Sequence, residues 1–255
     1  MPLIQTLLYG PILVIAFLTG LFFLWKQAKE EYYDVVQLFD HVSIAFLWGV
    51  IASRGAFILL QWQEFGVDII KWISIYQHPG YIGLAGLVVG LLIIVRKASQ
   101  SRWNVYELLD FLSISLVASL GIISVGNFIS GVGFGLPTDL PIGMSFPGVF
   151  DLRHPVQLYS AVALLILFFV LKKMSKEYRT FFWYRVNRRT AQPGFVFSVF
   201  LMCYSVIQIG LIPFTPTILL LGGVAIEYMI YPIFLGLGLG LLWVRSGRGL
   251  PFSKK

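Results

Sequence analysis

The chain has 255 residues, of which 58% are hydrophobic and only 12% are charged, and its mean hydropathy is +0.82. This composition excludes a water-soluble domain and indicates an integral membrane protein. The net charge of +7 does not require nucleic acid as a partner, because Lys and Arg collect in the cytoplasmic loops of proteins that cross the membrane several times.

Seven apolar stretches are long enough to cross the membrane as α-helices, since about 20 residues span a hydrocarbon core of about 30 Å. They lie near residues 7–25, 36–60, 79–95, 106–130, 155–173, 194–213 and 217–244. The sequence therefore predicts an all-α integral membrane protein with seven transmembrane helices in one domain, residues 1–255. The N-terminal MPLIQTLLYG has no basic stretch and no small-residue cleavage pattern, so we expect the first helix to be retained rather than removed.

The basic residues are shared unevenly between the two sets of alternate loops. Of the 19 Lys and Arg residues, 16 fall on one side, Lys71 and Arg153 fall on the other, and Arg54 lies within the second span. Positively charged loops stay in the cytoplasm. The sequence thus predicts an outside N-terminus and a cytoplasmic C-terminus, with the loops 61–78 and 131–154 facing away from the cytoplasm.

Arg54, in the run IASRGAFILL, is the charged residue of the second span. A charge at bilayer depth costs about 2.5–3.5 kcal/mol on insertion scales, and less where the side chain reaches the headgroups. Two interpretations stay open. The guanidinium reaches the outer headgroups, or it binds a lipid phosphate or a carboxylate within the bundle, for which its planar fork is suited.

Asn127 lies between Gly126 and Gly131 near the end of the fourth span. Glycines allow another backbone or a ligand to approach closely and free main-chain groups to form hydrogen bonds. The Asn127 amide either bonds a neighbouring helix or contacts a ligand. The sequence leaves both possibilities open.

The step Arg153-His154-Pro155 precedes the fifth span, and Gln157 and Tyr159 follow on its first turn. Proline is favoured at the start of a helix, so simple capping and anchoring at the membrane surface explain part of this pattern. A cation, an imidazole, an amide and a phenol within seven residues are a dense polar cluster for a helix that enters lipid, and such groups mark a functional site.

Two residues in the last spans bear on other functions. Cys203, the one cysteine, excludes an intrachain disulfide and, without a basic neighbour, is interpreted as a core residue rather than a reactive thiol. Glu227, inside the last span, is the feature that favours a small transporter, which uses charges near the membrane midplane.

Three blocks, GNFISG from Gly126, GLPTDLPIG from Gly135 and RHPVQLYSA from Arg153, resemble in order and distance the bacterial prolipoprotein diacylglyceryl transferases. Tyr9-Gly10, SRGAF, ELLDFLSIS and GFVFSVFLMCY are similar to the family as well. Seven helices with the N-terminus outside are also that family's arrangement.

The resemblance implies a transferase of the bacterial cytoplasmic (inner) membrane that needs no cofactor and no metal. Such an enzyme moves a diacylglyceryl group from phosphatidylglycerol to the lipobox cysteine thiol of a preprolipoprotein and releases glycerol phosphate. The chemistry needs a deprotonated thiol, a held lipid, and positive charge at the departing phosphate.

For an enzyme of this kind, the residues available in this chain predict catalytic roles for His154, Arg153 and Tyr9, with His154 as the base and either Arg54 or Arg153 at the phosphate. The residues expected to bind substrate are Arg54, Gly126, Asn127, Gly131, Asp139, Gln157 and Tyr159.

The chain departs from the family pattern where charges are expected. Ser124 and Val132 stand in place of an Arg and a Glu, Leu84-Ala85-Gly86 stands in place of an HGG element, and the sixth span ends in the uncharged SVIQIGLIPF. Loss of one charge-stabilising group typically costs about a hundred- to a thousand-fold in rate. The alternative is therefore a degenerate family member that binds lipid or lipoprotein without turnover.

Overall fold

The computed structural model describes residues 3–74, 78, 80–177, 192–216, 220–221, 224–225 and 227–245, with side chains from residue 10 onward and none at 220–225. Within these ranges the chain is mainly helical. The helices are α1 Leu3–Glu30, α2 Val35–Leu60, α3 Trp62–Phe65, α4 Ile69–Ile73, α5 Gly83–Gln100, α6 Val105–Ile129, α7 Val156–Glu177, α8 Phe195–Leu211 and α9 Glu227–Arg245. A 3₁₀ turn, Ile212–Phe214, follows α8.

Seven of the described helices are long and apolar enough to cross a membrane: α1, α2, α5, α6, α7, α8 and α9. The prediction of an all-α, multi-pass membrane protein is confirmed. The third spanning helix begins at Gly83, after Ile82 in an extended conformation, and the Ile82 amide donates to the Ser53 carbonyl of α2 at 3.1 Å. The sidedness of the termini stays a prediction.

Short antiparallel strand pairs accompany the helices. β1 (Met144–Ser145) pairs with β2 (Leu152–Arg153), so that Met144 lies opposite Arg153. β3 (Leu220–Leu221) pairs with β4 (Val224–Ala225) just before α9.

The chain divides into two compact units, and the first contains Met1–Gln27 and Leu109–Lys255. In this unit α1 packs closely on α6, because the Ser119 hydroxyl donates to the Ala16 carbonyl at 2.8 Å and a Cβ on Gly20 would overlap Ser119. Small residues that let helix backbones approach are the usual means of packing in lipid, where apolar burial supplies little driving force between helices.

The start of α8 is capped from another helix. Asp110 of α6 accepts hydrogen bonds from the backbone amides of Gly194 and Phe197, each at 2.7 Å. The first backbone amides of a helix have no hydrogen-bond partner within it and carry a partial positive charge. A carboxylate there accepts hydrogen bonds from them and interacts favourably with the positive end of the helix dipole. Asp110 therefore joins α6 to α8.

The second unit, Ala28–Leu108, is built on the packing of α2 against α5. Gly49 and Gly86 face each other so closely that a Cβ added to Gly86 would lie 2.8 Å from the Gly49 carbonyl oxygen. At another point of the unit, His41 of α2 hydrogen-bonds the Ser101 hydroxyl at 2.8 Å.

Candidate functional site

The first part of the site is the C-terminal end of α6. Gly131 adopts a left-handed conformation (φ 65°), its amide donates to the Phe128 carbonyl, and the Val132 amide donates to the Asn127 carbonyl. This pair of bonds is the Schellman motif, which ends a helix at a glycine. The cap places the Asn127 side chain in the last turn and turns the chain at Val132.

The loop after α6 folds back along the residues that precede α7. The Gly135 amide donates to the His154 carbonyl at 2.9 Å, the His154 amide donates to the Leu136 carbonyl at 3.1 Å, and the Leu136 amide donates to the Phe214 carbonyl at 2.8 Å. The strand pair β1/β2 extends the same antiparallel arrangement. Both the amide and the carbonyl of His154 are thus hydrogen-bonded to Gly135 and Leu136.

Gln157, on the first turn of α7, connects the two ends of this loop. Its side-chain amide donates to the Val132 carbonyl at 2.9 Å, and the side chain is 4% exposed. The GNFISG and RHPVQLY blocks, separated by more than twenty residues of sequence, therefore meet in the structure.

His154 is buried, with 8% of its surface exposed. Its Nδ1 lies 3.4 Å from the Tyr159 hydroxyl, and its ring packs edge-on against Phe214 at a centroid distance of 5.0 Å. This contact with a phenol at Nδ1 orients the imidazole ring.

Arg153 brings a positive charge to the same loop. One guanidinium nitrogen, Nη1, lies 3.4 Å from the Gly135 carbonyl, and the guanidinium carbon lies 5.1 Å from the centre of the Phe134 ring. Phe134 in turn stacks on the buried Phe146 at 5.2 Å. These contacts hold the arginine over an aromatic pair, and within the described residues no carboxylate lies within 4.0 Å of its guanidinium.

Four buried polar atoms of this region have no hydrogen-bond partner among the described residues: Asn127 Oδ1, Ser130 Oγ, Arg153 Nε and Gln157 Oε1. A buried polar group without a partner costs about 1–3 kcal/mol, and native proteins seldom leave several in one place. Two amide oxygens, a hydroxyl and a guanidinium N–H together match a ligand that carries both hydroxyl groups and anionic oxygens.

The structure shows the surroundings of the other residues expected to bind substrate, whose substrate contacts stay predictions. Gly126 accommodates α1, since a Cβ there would overlap Ile12, and Gly131 is the helix cap. Asp139 is exposed in the loop. Tyr9 lies in α1, with its side chain outside the described part of the chain.

Arg54 belongs to the second unit, and its guanidinium donates to main-chain carbonyls. Nε bonds the Trp72 carbonyl, and Nη1 bonds the carbonyls of His78 and Gly80 at 2.8 and 2.9 Å. Nη2 donates to the Lys71 carbonyl at 3.3 Å. These contacts occupy most of its five N–H donors.

Ser124 and Val132, the uncharged residues that stand where the family pattern has charged ones, lie near the ends of α6 and α7. The Ser124 hydroxyl donates to the Leu120 carbonyl at 2.9 Å and lies 3.2 Å from the Ser160 hydroxyl, so a neutral pair occupies the place of an arginine. Val132 contributes its carbonyl rather than a carboxylate. Of the described residues, no group of three or more His, Cys, Asp and Glu side chains is placed to hold a metal ion.

Two residues of this site were not singled out by sequence reasoning. Ser130 is 1% exposed, and its position just before the capping glycine was the available signal. Gly135 lies against His154, where a Cβ would come within 2.8 Å of the His154 Cβ. Nothing local in GVGFGLP distinguishes Gly135 from the two loop glycines before it.

Comparison with known proteins decides the family. The family model of the prolipoprotein diacylglyceryl transferases matches residues 2–244. The chain belongs to this family. The resemblance inferred from the three sequence blocks is thereby confirmed.

Relatives that share the similarity carry the name phosphatidylglycerol–prolipoprotein diacylglyceryl transferase. The protein of Clostridium tetani is 25% identical over 207 residues, which cover 78% of this chain and 76% of the relative. Those of Trichormus variabilis and a Nostoc species are each 28% identical over 247 residues, covering 92% of this chain and 84% of the relative.

Proposed function

We propose that this protein transfers a diacylglyceryl group from phosphatidylglycerol to the lipobox cysteine thiol of preprolipoproteins in the bacterial cytoplasmic membrane. The family match over nearly the whole chain supports the reaction class. The observation that assigns it to particular residues is that buried polar atoms of Asn127, Ser130, Arg153 and Gln157 have no partner among the described residues, and we place the lipid headgroup there.

The chemistry assigns a role to each of the groups. The acceptor thiol gives its proton to His154, its sulfur forms a bond to the glycerol carbon of the diacylglyceryl group, and the bond from that carbon to the phosphate oxygen breaks. Glycerol phosphate leaves with the bonding electron pair, and Arg153 supplies positive charge at its oxygens. The Tyr159 hydroxyl, 3.4 Å from His154 Nδ1, orients the imidazole for this transfer.

The headgroup glycerol fits the neutral part of the site. Its hydroxyl groups would donate to the free amide oxygens of Asn127 and Gln157, and the Ser130 hydroxyl would form a further hydrogen bond to it. The Gln157 side-chain nitrogen is already bound to the Val132 carbonyl, so the oxygen is held in one orientation before the lipid arrives. Such preorganisation lowers the entropic cost of binding.

The direction of insertion follows from the charges. With 16 of 19 basic residues on the loops of one side, we propose an outside N-terminus, a cytoplasmic C-terminus and a site at the outer face. Labelling of introduced cysteines with membrane-impermeant thiol reagents tests this orientation. A cysteine replacing exposed Asp139 in a Cys203→Ser background labels from outside intact cells if the orientation is right and only after lysis if it is reversed.

A second candidate is supported by a specific observation. Ser124 and Val132 put neutral groups where the family has an arginine and a glutamate, and Ser124 is bonded to Leu120 and Ser160. A site that has lost these charges keeps lipid binding more readily than turnover. The alternative is a degenerate transferase that binds phosphatidylglycerol or a lipoprotein.

The experiment compares reconstituted variants in transfer and in binding. We expect His154→Ala and Arg153→Ala to reduce transfer of labelled diacylglycerol to a lipobox peptide about a hundred-fold or more, and Asn127→Ala to weaken phosphatidylglycerol binding. Asp151→Ala, an exposed neighbour in the same loop, is the matched control and keeps the full rate. Binding of phosphatidylglycerol without any transfer by the unaltered protein would establish the degenerate alternative.

A further inference from the structure

The segment that joins α2 to α5, residues 61–82, contains secondary structure in its described part, residues 61–74, 78 and 80–82. It leaves α2 after Leu60 and returns to α5 at Gly83, so it begins and ends at the same surface of the membrane. It contains the short helices α3 and α4, and Asp68 caps the second of these by accepting from the Ile70 amide at 3.0 Å. We call residues 61–82 the connecting segment.

Arg54 is the centre around which the connecting segment folds. The guanidinium is 8% exposed and donates to carbonyls at four points of the segment, two at the end of α4 and two just before α5. Hydrogen bonds from a charged donor are roughly twice as strong as neutral ones. One side chain thereby satisfies carbonyls that neither α3 nor α4 could pair.

Aromatic rings enclose the same guanidinium. Its carbon lies 5.2 Å from the centre of the Phe65 ring, 5.6 Å from that of Phe57 and 5.8 Å from that of Tyr81. Phe65 is 2% exposed, and a Cβ on Gly80 would overlap the Phe57 ring. Aromatic rings of α2 and of the connecting segment thus enclose the Arg54 guanidinium, while the polar side chains of Gln61, Gln63, Glu64 and Asp68 are exposed.

Several large apolar side chains of the connecting segment are exposed on its surface. Val67 is 82% exposed, Ile70 78% and Ile73 73%, and Ile69 and Trp62 are exposed as well. On α4 the three isoleucines at positions i, i+1 and i+4 share one face. So many large apolar side chains on twelve consecutive residues mark an interaction surface.

The occupant of this surface is the lipid bilayer. Leu59 and Leu60, at the end of a membrane-spanning helix, are exposed, so the apolar face of the segment continues directly from surface that lipid covers. Trp62, Trp72 and Lys71 provide the amphipathic rings and the basic group that are enriched where protein meets headgroups.

We propose that Arg54 is a positioning residue that folds the connecting segment into a membrane-surface element, with Val67, Ile69, Ile70 and Ile73 inserted among the lipid headgroups and upper acyl chains. This role replaces that of a phosphate ligand for Arg54, and it holds whether or not the protein transfers diacylglycerol.

The test places a spin label at a single cysteine in a Cys203→Ser background, reconstituted in vesicles of phosphatidylethanolamine and phosphatidylglycerol. Collision rates with oxygen, which concentrates in lipid, and with a water-soluble nickel chelate report depth. We expect a label at Ile70 or Ile73 to show an oxygen-to-nickel ratio at least about threefold above that of a label at Gln63, an exposed polar residue of α3. Equal ratios would overturn the proposal, and so would spin–spin broadening at Ile70, which would identify a second copy of the chain as the occupant.

Arg54 is then changed with the Ile70 label in place. Arg54→Met removes every hydrogen-bond donor, so we expect the oxygen-to-nickel ratio at Ile70 to fall to that of the Gln63 label. Arg54→Lys keeps the charge but loses the planar set of guanidinium donors, so we expect a ratio between those of Arg54→Met and the native chain. A ratio unchanged in Arg54→Met, with helical content retained, would refute the positioning role. The depth measurement on native Arg54 stands by itself if the Met variant fails to fold.

Discussion

Gly135 offers the sharpest test of how the loop holds the candidate base. A Cβ placed on Gly135 would lie 2.5 Å from the Phe214 carbonyl oxygen, 2.6 Å from Val156 Cγ2 and 2.8 Å from His154 Cβ. Two of these neighbours are held by backbone hydrogen bonds, because the Gly135 amide donates to the His154 carbonyl and the Leu136 amide donates to the Phe214 carbonyl.

The magnitude of the effect follows from these distances. Ordinary van der Waals contact begins at 3.4 Å, so the Gly135→Ala methyl is 0.9 Å too close to the Phe214 oxygen and 0.6 Å too close to His154. Overpacking of this kind costs about 1–3 kcal/mol. A displacement of about 1 Å of a reacting group lowers a rate about a hundred-fold, so we expect transfer to fall more than stability.

The assay uses the one cysteine of the chain. Cys203 lies in α8, and a maleimide dye that fluoresces on reaction reports its exposure as the protein is heated in detergent. Gly135→Ala should label at a lower temperature than the native chain and transfer diacylglycerol much more slowly. Gly210→Ala, a helical glycine with no atom within 4 Å of the added Cβ, is the control and gains roughly 0.5–1 kcal/mol. Native labelling and native transfer in Gly135→Ala would refute the packing described for His154.

Three further changes have defined outcomes. Asp110→Asn weakens the two amide bonds at the start of α8 and should lower stability by about 1–2 kcal/mol in the same thiol-labelling assay, with no loss expected if the cap is unimportant. Gly86→Ala forces its Cβ to 2.8 Å from the Gly49 oxygen and should destabilise the α2–α5 pair by about 1–3 kcal/mol, measured as accelerated proteolysis of the second unit. Gln157→Met keeps the volume but loses the bond to the Val132 carbonyl, and we expect weaker phosphatidylglycerol binding in vesicle sedimentation.

The spanning helices were predictable from the sequence because each is a long apolar stretch, and the hydrophobic signal needs no tertiary information. The bond from Gln157 to the Val132 carbonyl was not predicted. The sequence placed the ends of the fourth and fifth spans on one side of the membrane, but it gave no means of pairing particular residues there.

The hydrogen bonds of Arg54 were not predictable in the same way. Its partners are carbonyl groups, which every residue carries, so no sequence pattern marks them. The sequence showed only that a charge lay in an apolar run and that phosphate was one way to satisfy it. The short helices α3 and α4 were missed for the same reason, since at four and five residues they are fixed by tertiary contacts and not by periodicity.

The cap of α8 illustrates a third limit. Asp110 is separated from Gly194 by more than eighty residues, and the sequence before α8, AQPG, contains none of the usual capping side chains at the position before Phe195. A missing local cap is a weak sign that a distant one exists. Identifying Asp110 as that cap requires knowing that α6 and α8 are neighbours.

The central claim is that the polar cluster at the ends of α6 and α7 transfers diacylglycerol to a thiol. The most direct measurement is the mass of a lipobox peptide after incubation with the purified protein and phosphatidylglycerol of one acyl composition, together with the glycerol phosphate released. The account predicts that the peptide gains one diacylglyceryl group for each glycerol phosphate released, that a peptide with serine in place of the cysteine gains nothing, and that His154→Ala abolishes both products. An unmodified peptide in the presence of bound phosphatidylglycerol would contradict it.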